Sequence, residues 1–379
     1  MPRRGRRQVF PACALLLGFL LFRPLPGGAD AIRIATFNTD LTRAGPGLML
    51  RDIAGGKDPQ VAAVLDVIST VAPDILALQG VDWDHDGAGL GALVEALAAA
   101  GMDYPHRFSA RPNSGWATDL DLDSDGRRGG PGDAQGYGDF SGQKAMAVLS
   151  RHPIRESEVR DFTALLWRDL PGAVLPQHDD GTPFPSAGAQ AIQRLSDTAH
   201  WVVPIDLPGG RVLSLLTFYA TPPVFDGPER RNALRNRDEI ALWLRLLDGR
   251  LGDVPQNVVL AGAANLDPAA SDGHRSAIRA LLDHPRLQDP QPRSMGAAAD
   301  NSAETFATVD WPRVGRRRVD YVLPGREWRV RDAGVFWPAE GEPGHDTALA
   351  ASRHRLVWVD LEPAPAPAPG DIDAPAPAR

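Results

Sequence analysis

The sequence predicts an α/β sandwich with mixed sheets, and three observations lead there. Short β-like runs and helical stripes interleave along most of the chain. One pair of runs is joined tightly enough to be a hairpin, a connection that a doubly wound parallel sheet lacks. Finally, 38 Gly and 35 Pro among 379 residues exceed the roughly 12% of ordinary proteins, implying long ordered loops or a tail rather than more helix.

In chain order, IRIATFN (32–38) is a short β-like run ending on a polar residue. QVAAVLDVISTV (60–71) carries apolar residues at 61, 64, 65, 68 and 71, a helical stripe that Pro73 stops. DILALQ (74–79) reads as a buried strand and 90–100 as a helix. Residues 109–143, rich in Gly, Asp and Pro, form a long loop. A strand follows over 145–149, then an irregular stretch over 162–196. Segments 200–207 and 211–218 alternate about Pro208-Gly209-Gly210, a hairpin pattern. Residues 229–247 make the best helix of the chain. Strands at 257–261, 318–323 and 355–361 and a helix at 271–282 complete the pattern.

Composition narrows the function. Hydrophobic residues at 43% and charged ones at 23% exclude a wholly disordered chain and a multi-span membrane protein. A net charge of −8 argues against a protein that coats nucleic acid. A single Cys excludes an intrachain disulfide. Residues 1–31 have the layout of a signal peptide: Arg3, Arg4, Arg6 and Arg7, an apolar run from Val9 to Phe22, and Ala29-Asp30-Ala31 as a small-x-small cleavage site. The run is too short for a stable membrane span. Export to the periplasm or the extracellular space is the expectation. Its removal takes away five Arg and one Asp, leaving −12. Residues 363–379, PAPAPAPGDIDAPAPAR, read as an extended Pro/Ala tail. One domain is therefore expected over 32–362.

The polar residues gather just after strand ends: ATFN (35–38), LALQG (76–80), TFYATPPVFDGPERRNALRN (217–236), GAANLDP (262–268), RVDYVLP (318–324) and SRHRLVW (352–358). This ordered series resembles the endonuclease/exonuclease/phosphatase superfamily. It is most similar to an exported bacterial branch with TPPVFDGPE, a GGPGD loop (129–133) and a DAGVFWP segment (332–338). The resemblance implies a four-layer α/β/β/α sandwich with its site at one edge of two packed sheets. It also implies phosphoester hydrolysis assisted by magnesium or manganese, in which the cation neutralises phosphate oxygens and is held by oxygen ligands.

Carried over residue by residue, the resemblance assigns Asn38 to the first-strand position that orients a metal ligand or water. Asn265, Asp320 and His354 are retained catalytic positions. Gly80 stands in place of a metal-binding Glu, Tyr219 in place of a phosphate-donating His, Ala263 in place of an Asp, and Arg353 in place of an Asp. The three acid replacements shift local charge by +4. At about 4 Å and an effective dielectric of about 20, one repelling charge costs about 4 kcal/mol. Loss of a general base costs a further 10²–10⁴-fold in rate. The reading that follows is an impaired or inactive hydrolase scaffold.

Two alternatives remain open. Arg353, His354, Asn38 and Tyr219, with Asn265, would hold a phosphorylated small molecule or phosphodiester, or a partner, without metal, since guanidinium groups bind phosphate in a fork. An Arg353 neutralised by an acid such as Asp320 would weaken this. In the other, Asp82, two residues beyond Gly80, lies on the same face of a continuing strand and relocates the metal site of an active phosphodiesterase or nuclease, together with Asp320. A separate calcium loop is suggested by Asp121, Asp123, Asp125 and Gly126, the D-x-D-x-D-G opening. Its twelfth position is Gly132, with Asp133 one further. Asp82-Trp83-Asp84-His85-Asp86-Gly87 repeats the spacing. Arg316-Arg317-Arg318 reads as a solvated run.

Overall fold

A computed structural model describes residues 31–364; the expected leader and tail lie almost wholly outside them. Strand β1 (Ile32–Asn38) is followed by helices α1 (Leu48–Gly55) and α2 (Pro59–Val71), β2 (Ile75–Val81) and α3 (Ala88–Ala99). After β3 (His106–Phe108) the 109–143 loop leads to β4 (Ala145–Ser150). The next irregular stretch contains β5 (Arg160–Asp161) and the short α4 (Ala187–Ile192). The hairpin of β6 (His200–Asp206) and β7 (Val212–Tyr219) precedes α5 (Arg231–Leu247), β8 (Val258–Ala263), α6 (Arg275–Leu282) and α7 (Met295–Asp300). A small hairpin, β9 (Val309–Trp311) and β10 (Gly315–Arg317), comes before β11 (Asp320–Pro324), β12 (Trp328–Val335), α8 (His345–Ala351) and β13 (Val357–Pro363).

Two large sheets result, ordered β12-β13-β1-β2-β4-β3 and β11-β8-β7-β6-β5. Both are mixed. β1 runs parallel to β2 and antiparallel to β13, and β7 runs parallel to β8 and antiparallel to β6. Side-chain alternation along the strands gives each sheet two apolar faces. One core cluster joins the sheets face to face through Ile34, Ile75, Val148, Trp201, Leu215 and Val259. A second packs Phe37, Leu76 and Leu78 against Val64, Ile68 and Leu93 of the helices outside the first sheet. A third packs Leu216, Phe218 and Leu260 against Ile240, Trp243 and Ile278 outside the second. The layers are therefore α/β/β/α.

Local chemistry sets the element ends. Asp58 accepts the Val61 N–H at 2.9 Å and starts α2, with Pro59 at the first position, where its missing N–H costs nothing. At the other end Ala72 turns left-handed and Pro73 forbids continuation. The hairpin and the long helix fall where periodicity put them. β12 is a different case: it lies at a sheet edge, carries exposed Arg329, Arg331 and Asp332, and has a register shift between Val330 and Asp332. Its pattern is neither alternating nor continuous, so the sequence showed only its DAGVFWP end.

The three consecutive arginines are not a solvated run. Arg318 is buried and grips Asp289 with both guanidinium arms. Arg316 lies over the Trp337 ring at 5.1 Å and pairs with Glu304 and Asp310. Arg317 faces the cavity described next. Neighbours brought by the fold, invisible to a charge count, decide each fate.

Candidate functional site

The functional side chains sit where strands end. Asn38 closes β1, Tyr219 closes β7, Ala263 closes β8, and Asp320 opens the antiparallel β11. Sheet register sets Tyr219 opposite Ala263 and Ala263 opposite Asp320. Between α8 and β13, Ser352 donates to the Asn38 carbonyl at 2.8 Å and accepts the His354 N–H at 3.1 Å. This ties His354 to the end of β1. The cluster opens into a cavity of about 1480 Å³ whose wall includes Asp40, Gly80, Tyr219, Asn265, Arg353 and His354.

At the floor, His354 Nδ1 lies 2.9 Å from Asp320 Oδ2 and 3.1 Å from Oδ1. Thr308 Oγ donates to Asp320 Oδ2 at 2.8 Å. The other ring nitrogen, Nε2, is 3.3 Å from Asn38 Nδ2. Because Asn38 Oδ1 accepts the Asp40 N–H at 3.4 Å, the amide presents its NH₂ to the ring. The imidazole is therefore the tautomer with Nδ1–H directed at Asp320 and the Nε2 lone pair directed at Asn38. Thr308 was not legible beforehand, since no motif marks it. Burial, with Asp40 next in effect, raises the Tyr219 hydroxyl above its usual range, so it stays protonated, hydrogen-bonded with Asn38.

Arg353 is neutralised, but not by Asp320. Its Nε and Nη2 meet Asp40 Oδ2 and Oδ1 at 2.9 and 3.2 Å. Burial alone would raise the Asp40 carboxyl, yet the Arg353 bond and the His354 ring together hold it below the ordinary carboxylate range. Asp320 is instead committed to His354 and Thr308.

Gly80 interrupts β2 as a bulge, with the register shifting between Gln79 and Val81. Its φ is +71°, and a Cβ there would lie 2.5 Å from Asn38 Oδ1 and 3.0 Å from the Asp40 nitrogen. The position lacks a carboxylate and has no room to aim one.

These residues do not fit a divalent cation. Of the acids near Asn38, Asp40 is bound to a guanidinium and Asp320 to an imidazole and a hydroxyl. Gly80 and Ala263 offer no ligand atoms. A hard cation needs several oxygen ligands carrying negative charge, and here each is absent or already engaged.

Asp82 does not move into the gap. Its Oδ1 accepts from the Thr42 hydroxyl at 2.6 Å and the Lys144 N–H at 3.2 Å, and its Oδ2 accepts the Arg43 N–H at 2.9 Å. It clamps two loops and lines a different, smaller depression with Trp83, Asp84, His85 and Asp86. In the acidic loop, Asp121, Asp123 and Asp133 bring oxygens within 4.8 Å of one another. Asp125 is not among them; its Oδ1 turns outward to the Arg127 N–H at 2.8 Å. Asp133, one place past the twelfth position, takes its part because a short 3₁₀ turn over Pro131–Asp133 folds back. Asp123 also lies on the cavity wall, so the 109–143 loop is part of the site.

Beneath the wall lies a buried carboxylate. Glu239 of α5 accepts the Asp197 N–H at 2.7 Å and the Thr221 N–H at 2.6 Å. Burial pushes its carboxyl up to about 8 against the pull of Arg235. Nearby His200 is driven down to about 3 by burial. In the unfolded chain Glu239 would lose its proton near 4.5, so between pH 4.5 and 8 the native state holds a proton that the unfolded state does not, and stability falls as pH rises. His200 acts in the opposite sense, but only below 6.5. From pH 6.5 to 8 the glutamate acts alone, and about 2 kcal/mol should be lost. Urea melts across this range should show the slope in the wild type and a flat line in Glu239→Gln.

The four-layer sandwich thus carries an acid–histidine pair where the ends of its two sheets meet, a hydrolase-like arrangement. A family model, Endonuclease/Exonuclease/phosphatase family, matches residues 35–354, and the chain belongs to that family. Its known members are generally metal-dependent. No curated protein matches the sequence. Similar solved structures include an endonuclease/exonuclease/phosphatase from Beutenbergia cavernae, 20% identical, covering 88% of this chain and 72% of that one at a TM-score of 0.49. A family protein from Leptotrichia buccalis is 15% identical, with 88% and 100% covered and a TM-score of 0.49. The human Nocturnin catalytic domain is 14% identical, with 89% and 96% covered and a TM-score of 0.46.

Proposed function

We propose that this chain is an exported family member in which metal-dependent phosphoester hydrolysis is lost or severely impaired. The supporting observation is the closed hydrogen-bond set around Asn38: Arg353 holds Asp40, His354 and Thr308 hold Asp320, and a left-handed Gly80 faces the amide. The Asp320–His354 pair survives, yet its outward nitrogen meets an amide donor rather than a free water site. The signal-like segment supports export to the periplasm or beyond.

The full chain, assayed on bis-p-nitrophenyl phosphate with millimolar magnesium or manganese, is expected to turn over no faster than in EDTA. Manganese titrated by calorimetry should give no heat that Asp320→Ala removes. Metal-stimulated turnover that disappears in Asp320→Ala would instead establish an active hydrolase with a relocated site.

A second reading is a metal-free site for a phosphorylated ligand. It is favoured by the open cavity and by donors on its wall: the Tyr219 hydroxyl beside Asn38, the Asn265 amide, which gives one N–H to the Ala220 carbonyl at 2.8 Å, and the Arg353 guanidinium, which is 63% exposed despite its partner. An arriving phosphate would share Arg353 with Asp40 rather than find it free.

A further inference from the structure

We propose that the cavity binds a small monophosphate ester carrying a planar aromatic ring, its phosphate on Arg231, Lys144 and Arg317 and its ring against Phe225 and Tyr137. This deepens the metal-free reading above and rests on it.

The cations come first. Arg231, Lys144 and Arg317 all line the cavity, and none has a carboxylate partner within ion-pair distance among the described residues. By contrast, the other two cavity cations are paired, Arg235 with Asp197 at 3.4 Å and Arg353 with Asp40 at 2.9 Å. Arg231 makes one bond, to Gln193 Oε1 at 3.0 Å. It stands one helical turn from Arg235, and the carboxylates that act on it, Asp197, Asp123 and Glu229, do so from beyond ion-pair distance. Burial, then Arg235, pulls its pKa down to about 10. Lys144 places its ammonium 5.0 Å from the Tyr137 ring centre. Unpaired guanidinium and ammonium groups on a concave wall suit an oxyanion.

The apolar half is held at a cost. Among the described residues, nine non-glycine residues have positive φ, and five of them line this cavity: Asp40, Ser124, Lys144, Phe225 and Asn265. Strained backbone that the surroundings hold in place concentrates at ligand sites. Phe225 is the extreme case, with φ +64° and 94% exposure. Its loop is fixed on both sides. Asp226 accepts the Asn232 and Ala233 N–H groups at 2.6 and 2.9 Å, and Asn232 Nδ2 donates to the Val224 carbonyl at 2.8 Å. A bulky ring kept rigidly in solvent does nothing for the core. Tyr137, 55% exposed, is held from behind by Asp197, which accepts its N–H at 3.0 Å. Two presented aromatic rings offer stacking surface to a planar group.

Charge limits the ligand further. Eight carboxylates and five Lys or Arg line the cavity. A polyphosphate or a nucleic-acid strand would meet this net repulsion at every phosphate, whereas a single phosphate meets it once and beside the three cations that lack a carboxylate partner.

The test is calorimetry on the full chain in EDTA with AMP, ribose 5-phosphate and adenosine as probes. AMP should bind about tenfold tighter than ribose 5-phosphate, and adenosine should bind weakly or not at all. Phe225→Ala should bring AMP down to the affinity of ribose 5-phosphate, and Arg231→Gln should weaken both about tenfold. Equal binding of AMP and ribose 5-phosphate would overturn the aromatic assignment while leaving metal-free phosphate binding intact. Adenosine binding as well as AMP would overturn the cation assignment. Silence from all three at millimolar concentration would remove this inference together with the reading beneath it.

Discussion

Gly80→Glu is expected to destabilise the protein by about 3 kcal/mol or more and to bring no metal-dependent activity by itself, although glutamate is the residue the family resemblance places there. Two costs add. A side chain at φ +71° carries roughly 1–2 kcal/mol of left-handed strain. A Cβ within 2.5 Å of Asn38 Oδ1 and 3.0 Å of a backbone nitrogen forces movement in a packed region, typically about 1–3 kcal/mol. Neither neighbour is a flexible chain end, since Asn38 is fully buried and bonded to His354. Urea melts of Gly80→Ala read both costs together without the carboxylate, because alanine adds only the Cβ. An alanine variant within about 0.5 kcal/mol of wild type would show that the bulge yields and that glutamate can re-enter. Restoration should work better through the other three positions. Arg353 is largely exposed, and such an ion pair contributes at most about 1 kcal/mol, so Arg353→Asp costs little and frees Asp40. Combined with Tyr219→His and Ala263→Asp, it should add a manganese heat in calorimetry to that of the wild type.

Much of this site was legible because the relevant positions are strand ends. A short apolar run closing on Asn38, another reaching Gly80, and RVDYV opening on Asp320 place their polar residues by alternation alone, and two sheets packed face to face bring those ends together. Side-chain commitments were not legible. Arg353 and Asp40 are 313 positions apart, and nothing near either residue announces the other, so the sequence pointed to Asp320 as the neutralising acid. Asp82 had the right parity for the cavity, but a left-handed bulge at Gly80, one residue before β2 ends, breaks the alternation on which that parity rests. Asp133 displaced Asp125 in the acidic cluster for a related reason: spacing rules assume a loop path, and a 3₁₀ turn changed it. Buried polar residues such as Thr308, Arg235 and Glu239 follow no period, because their place depends on which backbone groups the loops leave unpaired.

Arg235→Ala is expected to cost about 3–5 kcal/mol, the range for removing one partner from a buried charged network. Arg235 is 3% exposed. Its Nε donates to the Leu195 carbonyl at 2.7 Å, and its Nη2 donates to the carbonyls of Gln135, Ser196 and Arg194 at 2.6, 2.9 and 3.1 Å. Nη1 meets Asp197 at 3.4 Å. One planar side chain on α5 thus joins the 109–143 loop to the 194–197 segment, and truncation would leave the Leu195 carbonyl without this donor and take one donor each from the Gln135, Ser196 and Arg194 carbonyls and from Asp197, which keep their bonds to Gln193, Asn113 and the Tyr137 N–H. Lysine cannot replace it, because three donors on one ammonium do not reproduce a five-donor fork; Arg235→Lys should recover less than half of the loss. The damage should also be local. Asp197 holds the Tyr137 N–H, so hydrogen exchange over residues 113–137 should rise in Arg235→Ala well below the melting temperature, while the amides of β1 and β2 keep their protection. An alanine variant that melts within about 1 kcal/mol of wild type, with the loop still protected, would mean that the cavity wall is held by the backbone bonds of the loop itself rather than by this guanidinium.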